Sequence, residues 1–139
     1  MIVSDPLMKP TPRITQDSVE FWQFTTEGKL MLRHCNACGN QMYYPRIICT
    51  QCLSTDLGWT QASGRGRVYA VSIIHRAAVE AFRAGGPYAL AIVALEEGQR
   101  LMTNIVDCAP EDVVIDMPVE LVFEPRGDVA IPLFRPAQS

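Results

Sequence analysis

Four of the five cysteines fall into two Cys-x-x-Cys pairs, Cys35/Cys38 and Cys49/Cys52, within the stretch CNACGNQMYYPRIICTQC. A Cys-x-x-Cys turn points both sulfurs inward, and two such turns joined by a short hairpin close a tetrahedral site suited to Zn2+. Gly39 removes the steric cost of a tight left-handed turn after Cys38. A site with four thiolate ligands has no free coordination position, so it braces a segment with little core and does not activate water. Iron in a rubredoxin-like site, a redox dithiol and unliganded thiols are the competing readings. His34 adjoins Cys35 and is expected to face solvent, because four sulfurs already fill the sphere.

Other reactive side chains are isolated. Cys108 is unpaired, and the only histidines, His34 and His75, lie in no recognisable catalytic context. Ser63, Ser72 and His75 lack a G-x-S-x-G elbow, and GRGR at 64–67 is too short for a phosphate-binding loop. The pairs Glu96–Glu97 and Glu111–Asp112 sit in turns, where solvated charge is expected. An independent hydrolase or lyase using Cys108 or His75 is the least favoured reading; a binding module or accessory subunit is favoured over a self-sufficient enzyme.

The elements that position these groups follow from pattern. Residues 1–29 read as a proline-rich arm (Pro6, Pro10, Pro12) and a short helix in DSVEFWQFTTEGK, with Asp17 and Glu20 spaced as a capping box and Gly28 as the stop. Phe21, Trp22 and Phe24 are too apolar for a solvated helix face and are expected to dock on this domain or another chain. Residues 30–58 hold the cysteine ribbon, where Tyr43 and Tyr44 lie between the knuckles and are expected to face a partner. Residues 59–139 read as short strands: GRVYAVSIIH, YALAIVAL, RLMTNIV, PVELVFE and IPLFRP, the last placed at a sheet edge by Pro132. Four or five short strands with no long intervening helix predict a mainly β fold: N-terminal helix, four-cysteine ribbon, then a small, closed or nearly closed antiparallel barrel, five-stranded when IPLFRP is counted.

Composition narrows the function class. The chain has 139 residues and a net charge of −3, but residues 1–89 carry nine basic and six acidic side chains, and residues 90–139 three and nine. Ten of the twelve basic residues are arginine, and Arg65, Arg67, Arg76 and Arg83 form a local group able to meet a small anion or an acidic surface. The acidic whole-chain balance disfavours nucleic acid, so a single-stranded nucleic-acid module is the alternative reading. No apolar run approaches the roughly 18 residues that span a bilayer. With no basic-then-apolar leader at the start, a cytoplasmic protein is expected, where paired thiols favour metal over disulfide.

Several ordered motifs share one resemblance: the ribbon CNACGNQMYYPRIICTQC, GWTQASGRGRVYAVSIIHR with its SGRG turn, the strands from PYALAIVALEEGQ to PVELVF, and IPLFRP. From Asp17 to Pro136 the chain resembles the family with an N-terminal helix, a rubredoxin-like zinc ribbon and a C-terminal OB-fold, long catalogued as a domain of unknown function. The resemblance implies a non-catalytic accessory protein of acyl-CoA metabolism that accompanies a thiolase, thiolase-like aldolase, condensing enzyme or hydratase. It implies zinc on Cys35, Cys38, Cys49 and Cys52, and a contribution to a coenzyme A or acyl-CoA site. Coenzyme A carries three phosphates, which makes Arg65, Arg67, Arg76 and Arg83 the expected contacts, with Phe82 and Tyr88 packing on adenine or acyl group. Two departures stand out: Asp116, where the family often has glycine, and CLST, where a small residue commonly follows the last cysteine.

Overall fold

The computed structural model describes residues 9–78 and 80–138. Helix α1 (Val19–Thr26) leads into a three-stranded antiparallel sheet of β1 (Met31–Cys35), β2 (Gln41–Met42) and β3 (Leu57–Gln61), in the order β2-β1-β3. Five further strands follow: β4 (Arg65–Ile74), β5 (Tyr88–Leu95), β6 (Arg100–Ile105), β7 (Pro118–Arg126) and β8 (Val129–Pro136). They close into a barrel in the order β4-β5-β6-β8-β7. A four-residue helix, α2 (Glu80–Arg83), sits in the β4–β5 connection, and a 3-10 turn (Pro110–Asp112) in the β6–β7 connection.

Alternation builds the barrel. Along β5, Ala89, Ala91, Val93 and Leu95 are buried while Tyr88, Leu90, Ile92 and Ala94 are half-buried on the outside. The inward alanines make room in a narrow interior for Phe134 and Leu101, both fully buried. At Gly66 a Cβ would stand 2.6 Å from the Ala94 carbonyl oxygen and 2.7 Å from a Val93 methyl, so only glycine lets β4 approach β5 there. Asp116 adopts φ +70°, the left-handed conformation that explains why glycine suits this turn and aspartate is tolerated. Its N–H donates to the Val68 carbonyl at 2.8 Å and closes the turn.

The ribbon and the barrel share one core. Phe21 of α1, Leu30, Leu32 of β1 and Ala62 join Val68, Val93, Leu101 and Phe134 in a single buried cluster, against which Trp22, Tyr43 and Trp59 pack. Thr25, only 1% exposed, supplies a specific tie: its hydroxyl accepts from the Ala130 N–H of β8 at 3.3 Å and donates to the Trp22 carbonyl at 2.7 Å. The arm lies on the β7–β8 hairpin, where Arg126 donates to the Pro10 carbonyl at 3.2 Å and Lys9 pairs with Glu124 at 3.7 Å. Pro6 lies outside the described residues.

Two expectations are corrected. Asp17 and Glu20 do not form a capping box: Ser18 is the N-cap, Asp17 accepts from the Thr15 hydroxyl, and Glu20 accepts from the Trp59 indole N–H at 3.0 Å. The long-range indole bond engages the glutamate that the local pattern assigned to the cap. IPLFRP is not an edge strand, because β8 lies between β7 and β6. Pro132 is tolerated there because β8 and β6 share one registered pair, Ile105 with Phe134, leaving little ladder for a missing N–H to interrupt. Gly28, in contrast, does end the helix, at φ +76° with its N–H on the Thr25 carbonyl.

Thr25→Val strands the Ala130 N–H without its acceptor. Urea denaturation is expected to show a loss of about 1–2 kcal/mol, with a smaller loss for Thr25→Ser, which keeps the hydroxyl.

Candidate metal centre and ligand-binding surfaces

The sulfurs of Cys35, Cys38, Cys49 and Cys52 all lie within 4.8 Å of one another. Cys35 and Cys52 approach to 3.6 Å, as do Cys38 and Cys49. A tetrahedron of Zn–S bonds of about 2.3 Å requires sulfurs about 3.8 Å apart, so the quartet fits the ion. Cys35 and Cys49 are buried and Cys38 and Cys52 exposed, which places the site at the surface of the ribbon with no open coordination position.

Both knuckles use one backbone design. The Cys35 N–H donates to the Asn40 carbonyl and the Gly39 N–H to the Cys35 carbonyl; the Cys49 N–H donates to the Ser54 carbonyl and the Leu53 N–H to the Cys49 carbonyl. Leu53 therefore occupies the place of Gly39 and shares its left-handed backbone, φ +64° against +81°. N–H groups of Cys52 and Gln51 point at the Cys49 sulfur at 3.5 and 3.4 Å, joined by the Asn40 amide at 3.7 Å. These donors pull the Cys49 thiol down to about 6. At Cys38 the Asn40 N–H acts in the same direction, but desolvation and the neighbouring sulfurs outweigh it and push the thiol up to about 12. The quartet is not four independent anions; a divalent cation is what allows all four to ionise together.

The aromatic residues expected at a partner surface are mostly used within the chain. Phe21 is 2% exposed and packs edge-on to Trp22 at 4.9 Å and to Tyr43 at 5.8 Å. Phe24 packs on Trp59 at 5.4 Å, and Arg33 lies over the Trp59 ring at 4.1 Å. Among the five, only Tyr44 has an exposed ring. Ile47, Ile48 and Leu53, which sequence reasoning passed over, stand exposed on the same ribbon, Leu53 at 74%. The residue after the last cysteine was the available signal, since a leucine there departs from the small residue the knuckle favours.

The candidate anion contacts separate into two groups. Arg65 and Arg67 line a cleft of about 440 Å3 with Tyr69, Ala94, Glu96, Asp116 and Pro118. Arg67 donates to the Asp116 carbonyl at 2.9 Å, and Arg65 pairs with Glu96 at 3.3 Å. Glu96 is held below the usual carboxylate range by the Ser63 hydroxyl and by Arg65. Phe82 and Tyr88, with ring centroids 5.8 Å apart, belong to the far end of the barrel, and Arg76 and Arg83 are exposed in the same β4–β5 connection. Arg67 pairs with Ala94, and Tyr88 lies six residues back along β5, about 20 Å at strand rise. Lys9 and Arg126 flank the Phe82 ring at 5.4 and 6.0 Å.

Cys108 is half-buried against the core, and burial, then Asp112 and Asp107, push its thiol up. That shift keeps it protonated and a poor nucleophile. His75 follows the end of β4 in an exposed bend.

Elemental analysis is expected to find one zinc per chain, and Cys49→Ser is expected to bring that content near zero. Protons compete with the metal for each sulfur, so metal content is expected to fall as pH is lowered and to persist as it is raised; the reverse order would exclude thiolate ligation.

Comparison with known proteins agrees with this architecture. The model for the ChsH2 rubredoxin-like zinc ribbon domain matches residues 22–58, and that for the ChsH2 C-terminal OB-fold domain matches residues 59–124. A DUF35 domain-containing scaffold protein of Methanocaldococcus jannaschii is 40% identical over 107 residues, covering 76% of this chain and 75% of that protein. A probable enoyl-CoA hydratase alpha subunit of Thermomonospora curvata is 35% identical over 131 residues, which is 94% of this chain but 40% of the relative. The chain thus spans less than half the length of that relative. A chain of the Ltp2-ChsH2(DUF35) aldolase structure superposes with a TM-score of 0.83 at 35% identity, covering 92% of this chain and all of that one. With both halves matched in order and the cysteine quartet assembled, this chain belongs to the DUF35 family, as a zinc ribbon joined to an OB-fold.

Proposed function

We propose that the chain is a non-catalytic accessory subunit of a cytosolic acyl-CoA-processing complex, docking on an enzyme of aldolase, hydratase or thiolase type and contributing to coenzyme A or acyl-CoA binding. The observation that carries this reading is the likeness, over 92% of its length, to a chain of the Ltp2-ChsH2(DUF35) aldolase structure. Relatives named as scaffold proteins and as a hydratase alpha subunit support the same role. The closed four-sulfur site and the protonated Cys108 leave the chemistry to the enzyme subunit.

The ribbon tip suits the docking role. Tyr44, Ile47, Ile48 and Leu53 are exposed there, with exposed Arg46 among them, and residues 36–55 contain no carboxylate. A tyrosine beside an arginine matches interface hot spots, and the exposed aliphatic groups around them form the kind of apolar patch that marks a protein contact. Leu53 holds a backbone conformation that costs a leucine about 1–2 kcal/mol, which is understandable if the exposed side chain is needed by a partner.

Co-expression with an aldolase, hydratase or thiolase subunit is expected to give a co-purifying complex, with the enzyme less soluble or less active when expressed alone. Leu53→Gly is expected to leave the chain as stable or about 1 kcal/mol more stable, yet to weaken the complex about tenfold, read by thermal melting and by titration calorimetry. Equal assembly and turnover with and without the chain would sink the proposal.

A further inference from the structure

The outward face of β4–β5–β6 carries a grouping that the candidate anion contacts do not account for. Arg100 of β6 lies opposite Ala94 of β5, which lies opposite Arg67 of β4. Across that row the Arg100 guanidinium reaches the Tyr69 ring on β4, 3.9 Å from its centroid. Two strand spacings, about 10 Å, separate β6 from β4, and the small Ala94 between them leaves the path open.

Tyr69 sits at a β-bulge. The β4–β5 register shifts between Val68 and Ala70, so Tyr69 is the extra residue and has no opposite number on β5. It follows the buried Val68 and shares the outward face of Arg67, so its ring is 50% exposed on the outer surface. It borders the same cleft as Arg65 and Arg67.

From these positions we infer that this face binds a phosphorylated nucleoside, its base stacked on the Tyr69–Arg100 pair and its phosphates held by Arg67 and Arg65. Under the accessory-subunit reading, on which this rests, the ligand is the 3′-phospho-ADP end of coenzyme A. A ring with one partner cation and half its surface open is a stacking platform for a purine. Arg67 is oriented by its bond to the Asp116 carbonyl, which uses one of its five N–H groups. Arg65 is paired with Glu96, both side chains more than half exposed, so a phosphate can exchange for the carboxylate. The face then continues through the Ile92–Met102 and Leu90–Asn104 pairs towards Tyr88 and Phe82, an apolar track for an extended pantetheine arm. The two groups of candidate contacts become the two ends of one site.

The test is calorimetric titration of adenosine 3′,5′-bisphosphate and of coenzyme A into the zinc-loaded full chain, alone and assembled with its enzyme subunit. Both ligands are expected to bind, with Arg100→Ala and Tyr69→Ala each weakening the bisphosphate about tenfold and Tyr69→Phe retaining it. Glu96→Gln is expected to tighten it about two- to threefold by freeing Arg65. All three positions are at the surface, so unchanged melting temperatures separate lost binding from lost folding. Coenzyme A binding that Arg100→Ala and Tyr69→Ala leave intact overturns the platform alone. Failure of coenzyme A to bind the chain or the complex overturns the accessory-site reading itself. A single-stranded oligonucleotide bound more tightly than the bisphosphate also overturns the assignment.

Discussion

Four sulfurs held within 4.8 Å of one another cannot all carry negative charge without a cation among them, and the ribbon depends on that constraint. Its own buried cluster is only Cys35, Met42 and Cys49, with Leu57 packed alongside, too little apolar surface to order two knuckles and a two-residue strand. Metal ligation supplies what hydrophobic burial does not. Once the knuckles are set, Tyr43 is held against Phe21 and the shared core, while Tyr44, Ile47, Ile48 and Leu53 are left outside. The same few backbone turns thus anchor the ribbon inward and present an apolar tip outward.

The barrel obeys a different constraint. Closing five short strands around a narrow interior demands small inward residues on β5 and an unobstructed approach at Gly66. It also demands an accommodation of strand twist, which the bulge at Tyr69 provides. At that bulge an exposed aromatic ring stands beside two arginines and a third from β6. Scaffold and surface chemistry meet at that residue, since Tyr69 keeps the outward side of the alternation set by Arg67 and Val68 while having no opposite number on β5.

Much of this was legible in the sequence because it is local. Two Cys-x-x-Cys pairs name their own ligands. YALAIVAL begins and ends where β5 does, because an apolar run between the turn residues AGGP and EEGQ carries its boundaries with it. Asp116 and the leucine after Cys52 were visible as departures from glycine and from a small residue, and both sit in left-handed backbone. Local pattern misled where a distant group competed: Glu20 answers the Trp59 indole and not its own helix end, and Pro132 lies in a closed barrel, not at an edge.

By itself, the sequence determined the element order, the metal ligands and the class of fold, each of which depends on residue type and short-range spacing. Only the tertiary structure decided which surfaces exist. Phe21, marked by its hydrophobicity for docking on this domain or another chain, is taken by the core, because burial is a property of what packs against a residue. Arg100, 31 residues beyond Tyr69 in the chain, meets its ring because strand register brings them within reach across Ala94. Spacing along the chain says nothing of distance across a sheet, so the ligand face became readable only once the barrel had closed.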